Sequence, residues 1–215
     1  MDQRIKEAIR YLGFGRHAVD DQTMSLIFRS FEELEDVVNA RFVYRIFELK
    51  LKDDDCLEIG TLKIKSKHLK KNLLECEKAA LFGATLGTGV DLLIKKRSVT
   101  NMAGAVVLQA CAATILEEFC DQCCKELAEK MEKESRYLRP RFSPGYGDFS
   151  IEHQDKILRM LDAPKQIGLS LTEGSMLVPT KSVTAVIGIG KIRPGDSKEG
   201  CRICNKTDCL YRRSK

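Results

Sequence analysis

The order of apolar periods along the chain predicts an α+β fold, a twisted and mostly antiparallel sheet flanked by helices. Three observations carry this. Stretches with apolar residues at helical spacing alternate with stretches of period two, without the regular strand-helix-strand units of a parallel sheet. No internal repeat is visible. The 215 residues, 43% hydrophobic and 31% charged, suffice for one sizeable core in an ordinary globular protein. A single domain over 1–190 is expected, with 1–40 as an N-terminal helical part and 191–215 as a basic, cysteine-rich tail.

Residues 2–12 read as a short amphipathic helix, with Ile5, Ala8, Ile9 and Leu12 on one face and Gly13 as its stop. A longer helix follows at about 21–39, capped by Asp20 and carrying Met24, Ile27, Phe28, Phe31, Leu34 and Val38. At Arg41 the period falls to two, and 41–49 reads as a largely buried strand. Asp53-Asp54-Asp55 lacks the later carboxylates of a calcium loop and reads as an exposed turn, with a partner strand at 57–65. Ser66 caps a short helix to about 75, and 79–84 makes a buried strand that runs into Thr85-Leu86-Gly87-Thr88-Gly89. This glycine-rich turn has neither the Lys-Ser/Thr ending of a P-loop nor a full Gly-x-Gly-x-x-Gly, so it reads as a tight turn before a helix at 90–96. The longest helix spans 101–134, small and apolar in its first half, charged and expected to run into solvent in its second. At the junction Glu117 is followed by Glu118 and Asp121. A carboxylate there is costly unless paired, so Glu117 either lies at the surface or is kept for a cationic group. Ser150 caps a helix to about 162, and after Pro164 the segments 167–171 and 182–189 read as strands.

The candidate ligand site lies between the last two helices, in Arg141-Phe142-Ser143-Pro144-Gly145-Tyr146. A guanidinium fork matches a carboxylate, a Pro-Gly pair bends the backbone and exposes its amides, and the tyrosine adds a ring with a hydroxyl. These parts suit a small anionic or zwitterionic ligand; the other reading is a stiff connector with a solvated arginine.

The formal charge of +5 sits in the tail, where eight Lys/Arg face three acids. The near-neutral body shows no basic face, which argues against nucleic-acid binding and leaves the tail to dock on an acidic partner or to aid solubility. No apolar run approaches the roughly 20 residues of a membrane span, and the start has no apolar h-region, so a cytoplasmic protein is expected. Of nine cysteines, Cys111, Cys120, Cys123 and Cys124 fall in the long helix as small buried hydrophobes. Cys201-x-x-Cys204-x4-Cys209 either holds zinc or part of an iron-sulfur site, with no fourth ligand evident, or stays as reduced thiols.

The conjunction of these motifs resembles the reactivation domain of cobalamin-dependent methionine synthase, in a short stand-alone bacterial form. The family loop Arg-x-x-x-Gly-Tyr stands here as Arg141, Gly145 and Tyr146, with Pro144 before the glycine. Ile167-Gly168-Leu169-Ser170-Leu171-Thr172-Glu173, Pro179 and Ser182-Val183 are similar to the family's downstream stretch, and 108–121 to the helix whose Glu faces the ligand, here Glu117. The likeness spans about 40–190.

The resemblance implies a C-shaped α+β fold that binds S-adenosylmethionine and supports reductive methylation of cob(II)alamin on a partner methionine synthase or related corrinoid protein. A flavodoxin-like or ferredoxin-like donor would supply the electron. It implies that Arg141 holds the methionyl carboxylate, that 142–145 meet the adenosine through backbone groups, that Tyr146 packs beside the ligand, and that Glu117 faces its positive end. The chain departs from larger members at an aspartate near the domain start and at a tyrosine-bearing extension after the last strand. It has no Asp-x-His-x-x-Gly, and His17, His68 and His153 are isolated in sequence, so cobalamin would come only on the partner. A docking module for a corrinoid protein with an eroded ligand site is the alternative.

Overall fold

The computed structural model describes residues 2–14 and 19–192. Its helices are α1 Gln3–Tyr11, α2 Asp21–Glu35, α3 Lys67–Asn72, α4 Thr88–Thr100, α5 Met102–Glu132, α6 His153–Leu161 and α7 Ala163–Ile167. The strands are β1 Arg41–Leu51, β2 Cys56–Ile59, β3 Leu62–Lys65, β4 Cys76–Thr85, β5 Tyr137–Leu138, β6 Ser170–Leu171, β7 Leu177–Val178 and β8 Ser182–Gly190. Six strands form one sheet in the order β3-β2-β1-β4-β8-β5, β6 and β7 form a small hairpin, and the pairings among these strands are antiparallel. The α+β class read from the sequence is the observed one. Within it, contacts gather the described residues into two compact units, the one up to Asn39 with Thr88–Phe119, and Ala40–Gly87 with 120–192.

In the first unit α1 and α2 begin where aspartates supply the missing acceptors. The Asp2 side chain accepts from the Arg4 amide and that of Asp20 from the Thr23 amide. Their inward faces bury Ile5, Ala8 and Ile9, and Ile27, Phe31 and Leu34. The second helix stops at Glu35, short of 39, and the Val37 and Val38 amides both turn back to the Leu34 carbonyl. A Cβ at Gly89 would lie 2.6 Å from the Val37 carbonyl oxygen. Close packing on that oxygen, not a phosphate, therefore accounts for this glycine.

In the second unit β4 is central, paired with β1 from Arg41↔Thr85 to Glu48↔Lys78 and with β8 from Thr85↔Ser182 onward. From Ala79 to Thr85 every residue of β4 is buried, as expected of a strand covered on both faces. Leu57, Ile59, Leu69, Leu81, Ile157 and Leu161 belong to the buried cluster on which this unit is built.

Three sequence expectations are corrected. The single strand at 57–65 is a hairpin of β2 and β3, turned at Gly60 (φ +55) and Thr61. The strand at 167–171 is mostly not one: Ala163–Ile167 is helical with Pro164 in its first turn, Gly168 stops it in the left-handed region, and only Ser170 and Leu171 pair with β7. The second half of α5 does not run free into solvent, because Cys120, Cys123, Leu127 and Met131 form a buried stripe along it. By length and composition alone, α5 also passes as a membrane-crossing helix, and 56% of its apolar window is buried inside the protein.

Candidate functional site

The loop after α5 is fixed from both ends. Phe142 makes a two-bond antiparallel bridge with Val186 of β8, each amide donating to the other's carbonyl at 2.9 Å. Its ring packs near that of Phe149, which is fully buried and stacked on His153 with centroids 5.6 Å apart. Between these anchors the Gly145 amide donates to the Phe149 carbonyl at 2.7 Å and the Tyr146 amide to the Ser143 carbonyl at 3.2 Å. The amides of Phe142, Gly145 and Tyr146 thus bond within the protein, and of these none is the exposed donor that the Pro-Gly pair led one to expect. The reversal needs positive φ at Gly145 (+91) and Gly147 (+57).

Asp148 ties the loop to the start of α3. It accepts the Ser66 hydroxyl, the Lys67 amide at 2.8 Å and the His68 amide at 3.1 Å. The Ser66 hydroxyl in turn accepts the Leu69 amide at 3.0 Å, so one helix end holds both its own cap and the loop. The Ser66 hydroxyl first, then the two amides, stabilise the charged form and hold the Asp148 carboxyl down at about 2. Gly147 passes so close to His68 that an added Cβ would sit 2.6 Å from its Nδ1. The sequence marks Ser66 as a cap but gives no sign of Asp148, whose partner lies 82 positions away.

Arg141 is the loop's cation. Its side chain is only 18% exposed; Nη2 pairs with Asp121 Oδ1 at 2.8 Å, and Nη1 donates to Cys124 Sγ at 3.5 Å. Burial by itself would lower the pKa of this guanidinium, but the Cys124 hydrogen bond and the neighbouring negative charge outweigh it and hold the pKa above its ordinary value. Asp121 and Cys124 lie on the C-terminal part of α5, three positions apart and hence on one face. Cys124 is half-buried, whereas Cys111 and Cys123 are buried, and burial pushes the thiols of those two up to about 12 and about 11. Adjacent Cys123 and Cys124 cannot both face a core, which is the signal that one of them points elsewhere.

The six loop residues predicted from sequence are thus held in one segment, with Pro144 buried, Arg141, Phe142 and Ser143 half-buried, and Tyr146 69% exposed. Glu117 is half-buried on α5 within the first unit, and its neighbour Glu118 pairs with Arg4 at 2.8 Å. Cys201, Cys204 and Cys209 lie outside the described residues, and among the described residues no group of three or more His, Cys, Asp or Glu is placed to hold a metal. The Thr172-Glu173 stretch forms the turn between β6 and β7, where the Thr172 amide donates to the Met176 carbonyl at 2.9 Å. Behind it, Gln154 bridges the Ser175 carbonyl and the buried Thr184 hydroxyl.

No protein-family model and no curated protein sequence matches the chain. A solved structure does: the crystal structure of the MetH reactivation domain bound to AdoHcy, at a TM-score of 0.61 and 17% identity, covering 81% of this chain and 68% of that one. The chain has the reactivation-domain fold. At this identity it is the fold that is shared, and the MetH domain binds AdoHcy in its own structure. For the reactivation-domain fold to carry a ligand here, this chain's own residues must supply the contacts. The loop offers a half-buried guanidinium paired with Asp121 and, five positions on, an exposed tyrosine ring.

Proposed function

We propose that the chain is a reactivation subunit that binds S-adenosylmethionine at the 141–146 loop and supports reductive methylation of cob(II)alamin. The cobalamin would be carried by a partner cobalamin-dependent methionine synthase or related corrinoid protein in methionine biosynthesis. One observation carries the reading: a reactivation-domain fold coincides with an Arg-x-x-Pro-Gly-Tyr loop whose arginine is held nearly buried. AdoHcy, the ligand of the MetH domain, is S-adenosylmethionine without its transferable methyl. Bound here, S-adenosylmethionine would supply that methyl group. Arg141 would hold the methionyl carboxylate by charge-assisted hydrogen bonds, the backbone from Phe142 through Ser143, Pro144 and Gly145 would line the adenosine, and Tyr146 would cover it. Glu117 enters on the sequence resemblance alone, as the partner of the ligand's positive charge. A flavodoxin-like or ferredoxin-like protein would deliver the electron. Cys201, Cys204 and Cys209 would hold zinc or an iron-sulfur group; iron, zinc and sulfide analysis of anaerobically purified protein, against a triple Cys→Ser variant, tests this, and metal-free protein ends it.

Titration calorimetry with S-adenosylmethionine on wild type and Arg141→Ala tests the main reading. Binding that the substitution abolishes, together with methylation of cob(II)alamin on a methionine synthase lacking its own reactivation domain, is the expected result. The pairing of Arg141 with Asp121 favours a second reading, a docking module whose ligand site has been filled from within. Absence of binding with and without the cobalamin partner selects it.

A further inference from the structure

We propose that Asp121 is a built-in competitor for the ligand's carboxylate, occupying one edge of Arg141 until a carboxylate-bearing ligand displaces it. The proposal rests on the reading of the loop as an S-adenosylmethionine site and adds a threshold to it. The two partners of the Arg141–Asp121 pair are unequal: the arginine side chain is 18% exposed and the aspartate 61%. The cation is held in place while the anion stands at the solvent edge, so the anion is the partner free to swing away. When it does, the guanidinium keeps the contact of Nη1 with Cys124 Sγ, 3.5 Å away, and so keeps its aim.

An α-carboxylate and the Asp121 carboxylate are chemically alike, and the same N–H cannot serve both. Ligand binding therefore exchanges one ion pair for another, and the apparent affinity falls by the fraction of molecules in which Asp121 has already let go. A ligand that lacks a carboxylate has nothing to exchange and leaves the pair closed. Asp121 thus acts through Arg141 as a positioning residue that biases the site toward the amino-acid end of its ligand.

The test compares calorimetric affinities for S-adenosylmethionine and for 5′-methylthioadenosine, which has the nucleoside and thioether but no carboxylate, on wild type, Asp121→Asn and Asp121→Glu. Because Asp121 is mostly exposed, the near-isosteric Asn leaves the fold intact, which a melting curve verifies. The expected result is S-adenosylmethionine binding about two- to fivefold tighter in Asp121→Asn, the size of a released, partly exposed ion pair. The same variant leaves 5′-methylthioadenosine unchanged, and Asp121→Glu returns the wild-type value. Binding of S-adenosylmethionine that is unchanged or weaker in Asp121→Asn, or equally tighter for both ligands, overturns the proposal while leaving the proposed function standing. If neither wild type nor Asp121→Asn binds S-adenosylmethionine, with or without the cobalamin partner, the proposed function itself falls and takes this with it.

Discussion

Asp148 sets the shape of the loop more than any residue within 141–146, because it joins the loop to two backbone amides and a buried hydroxyl at the start of α3. Its carboxyl titrates near 2 in the folded chain, below the ordinary 3.8 that it regains on unfolding. The stability it contributes is fully present above pH 3.8 and is lost as the pH falls toward 2. Asp148→Asn is expected to flatten the acid limb of the pH-stability curve in that window and to speed amide exchange at Lys67, His68 and Gly145. An unchanged acid limb would show that the contact is not maintained in solution. His153 runs the same way at higher pH. Burial against Phe149 lowers its pKa below 6.5, so the neutral ring is favoured and stability is lost as the pH falls below that value. His153→Gln should remove that part of the slope below pH 6.5, followed by denaturant midpoints. Ser66, the hydroxyl at the centre of the Asp148 network, is buried and caps α3 as well. Its change to Ala should cost about 1–2 kcal/mol of unfolding free energy by urea titration.

At the scale of elements, the loop's reversal depends on two glycines with left-handed backbone, and Gly147 is the less forgiving. A Cβ there meets the His68 ring at 2.6 Å in a conformation that side chains rarely adopt. Gly147→Ala is expected to cost about 1–3 kcal/mol and to loosen the loop. A denaturation curve superimposable on wild type would refute it. The elements legible in the sequence were those with strong periods and local caps. Examples are α1 with its apolar face, α2 with its Asp20 cap, and β8; β1 forms as read, but of its residues only Leu49 is buried, so it is not the largely buried strand expected there. Those missed turn on context that a period does not record. The β2–β3 turn hides in Gly60-Thr61 between two short apolar pairs. In the sequence Pro164 suggests a break before a strand, whereas it opens α7 with its fixed φ. The buried stripe of α5 was masked by charges on its other face. Arg141, Gly145 and Tyr146 are legible as a loop with chemistry, but the contacts that hold the loop, Arg141 with Asp121 and Cys124 on α5 and Asp148 with Ser66 at the start of α3, join distant parts of the chain and leave no mark in local spacing.

At the scale of the whole molecule, the fold is shared with a reactivation domain at only 17% identity, so most side chains can change while the pattern of burial holds the architecture. The described cysteines fit that view, since Cys111, Cys120 and Cys123 are buried among apolar residues and act as small hydrophobes. What a fold alone does not supply is the energy of a ligand, and that energy is measurable on the whole chain without any partner. A ligand that binds the folded state and not the unfolded one stabilises it by about 2.7 kcal/mol at a hundredfold its Kd. For a chain of this size that corresponds to a rise in Tm of roughly 5–11 °C. S-adenosylmethionine at saturating concentration is expected to produce a rise of that order in wild type and a much smaller one in Arg141→Ala, of the size that 5′-methylthioadenosine, which lacks the carboxylate, gives in wild type. Thermal scans that move equally in wild type and Arg141→Ala would place the ligand away from the loop, because a contact through the guanidinium cannot survive its removal.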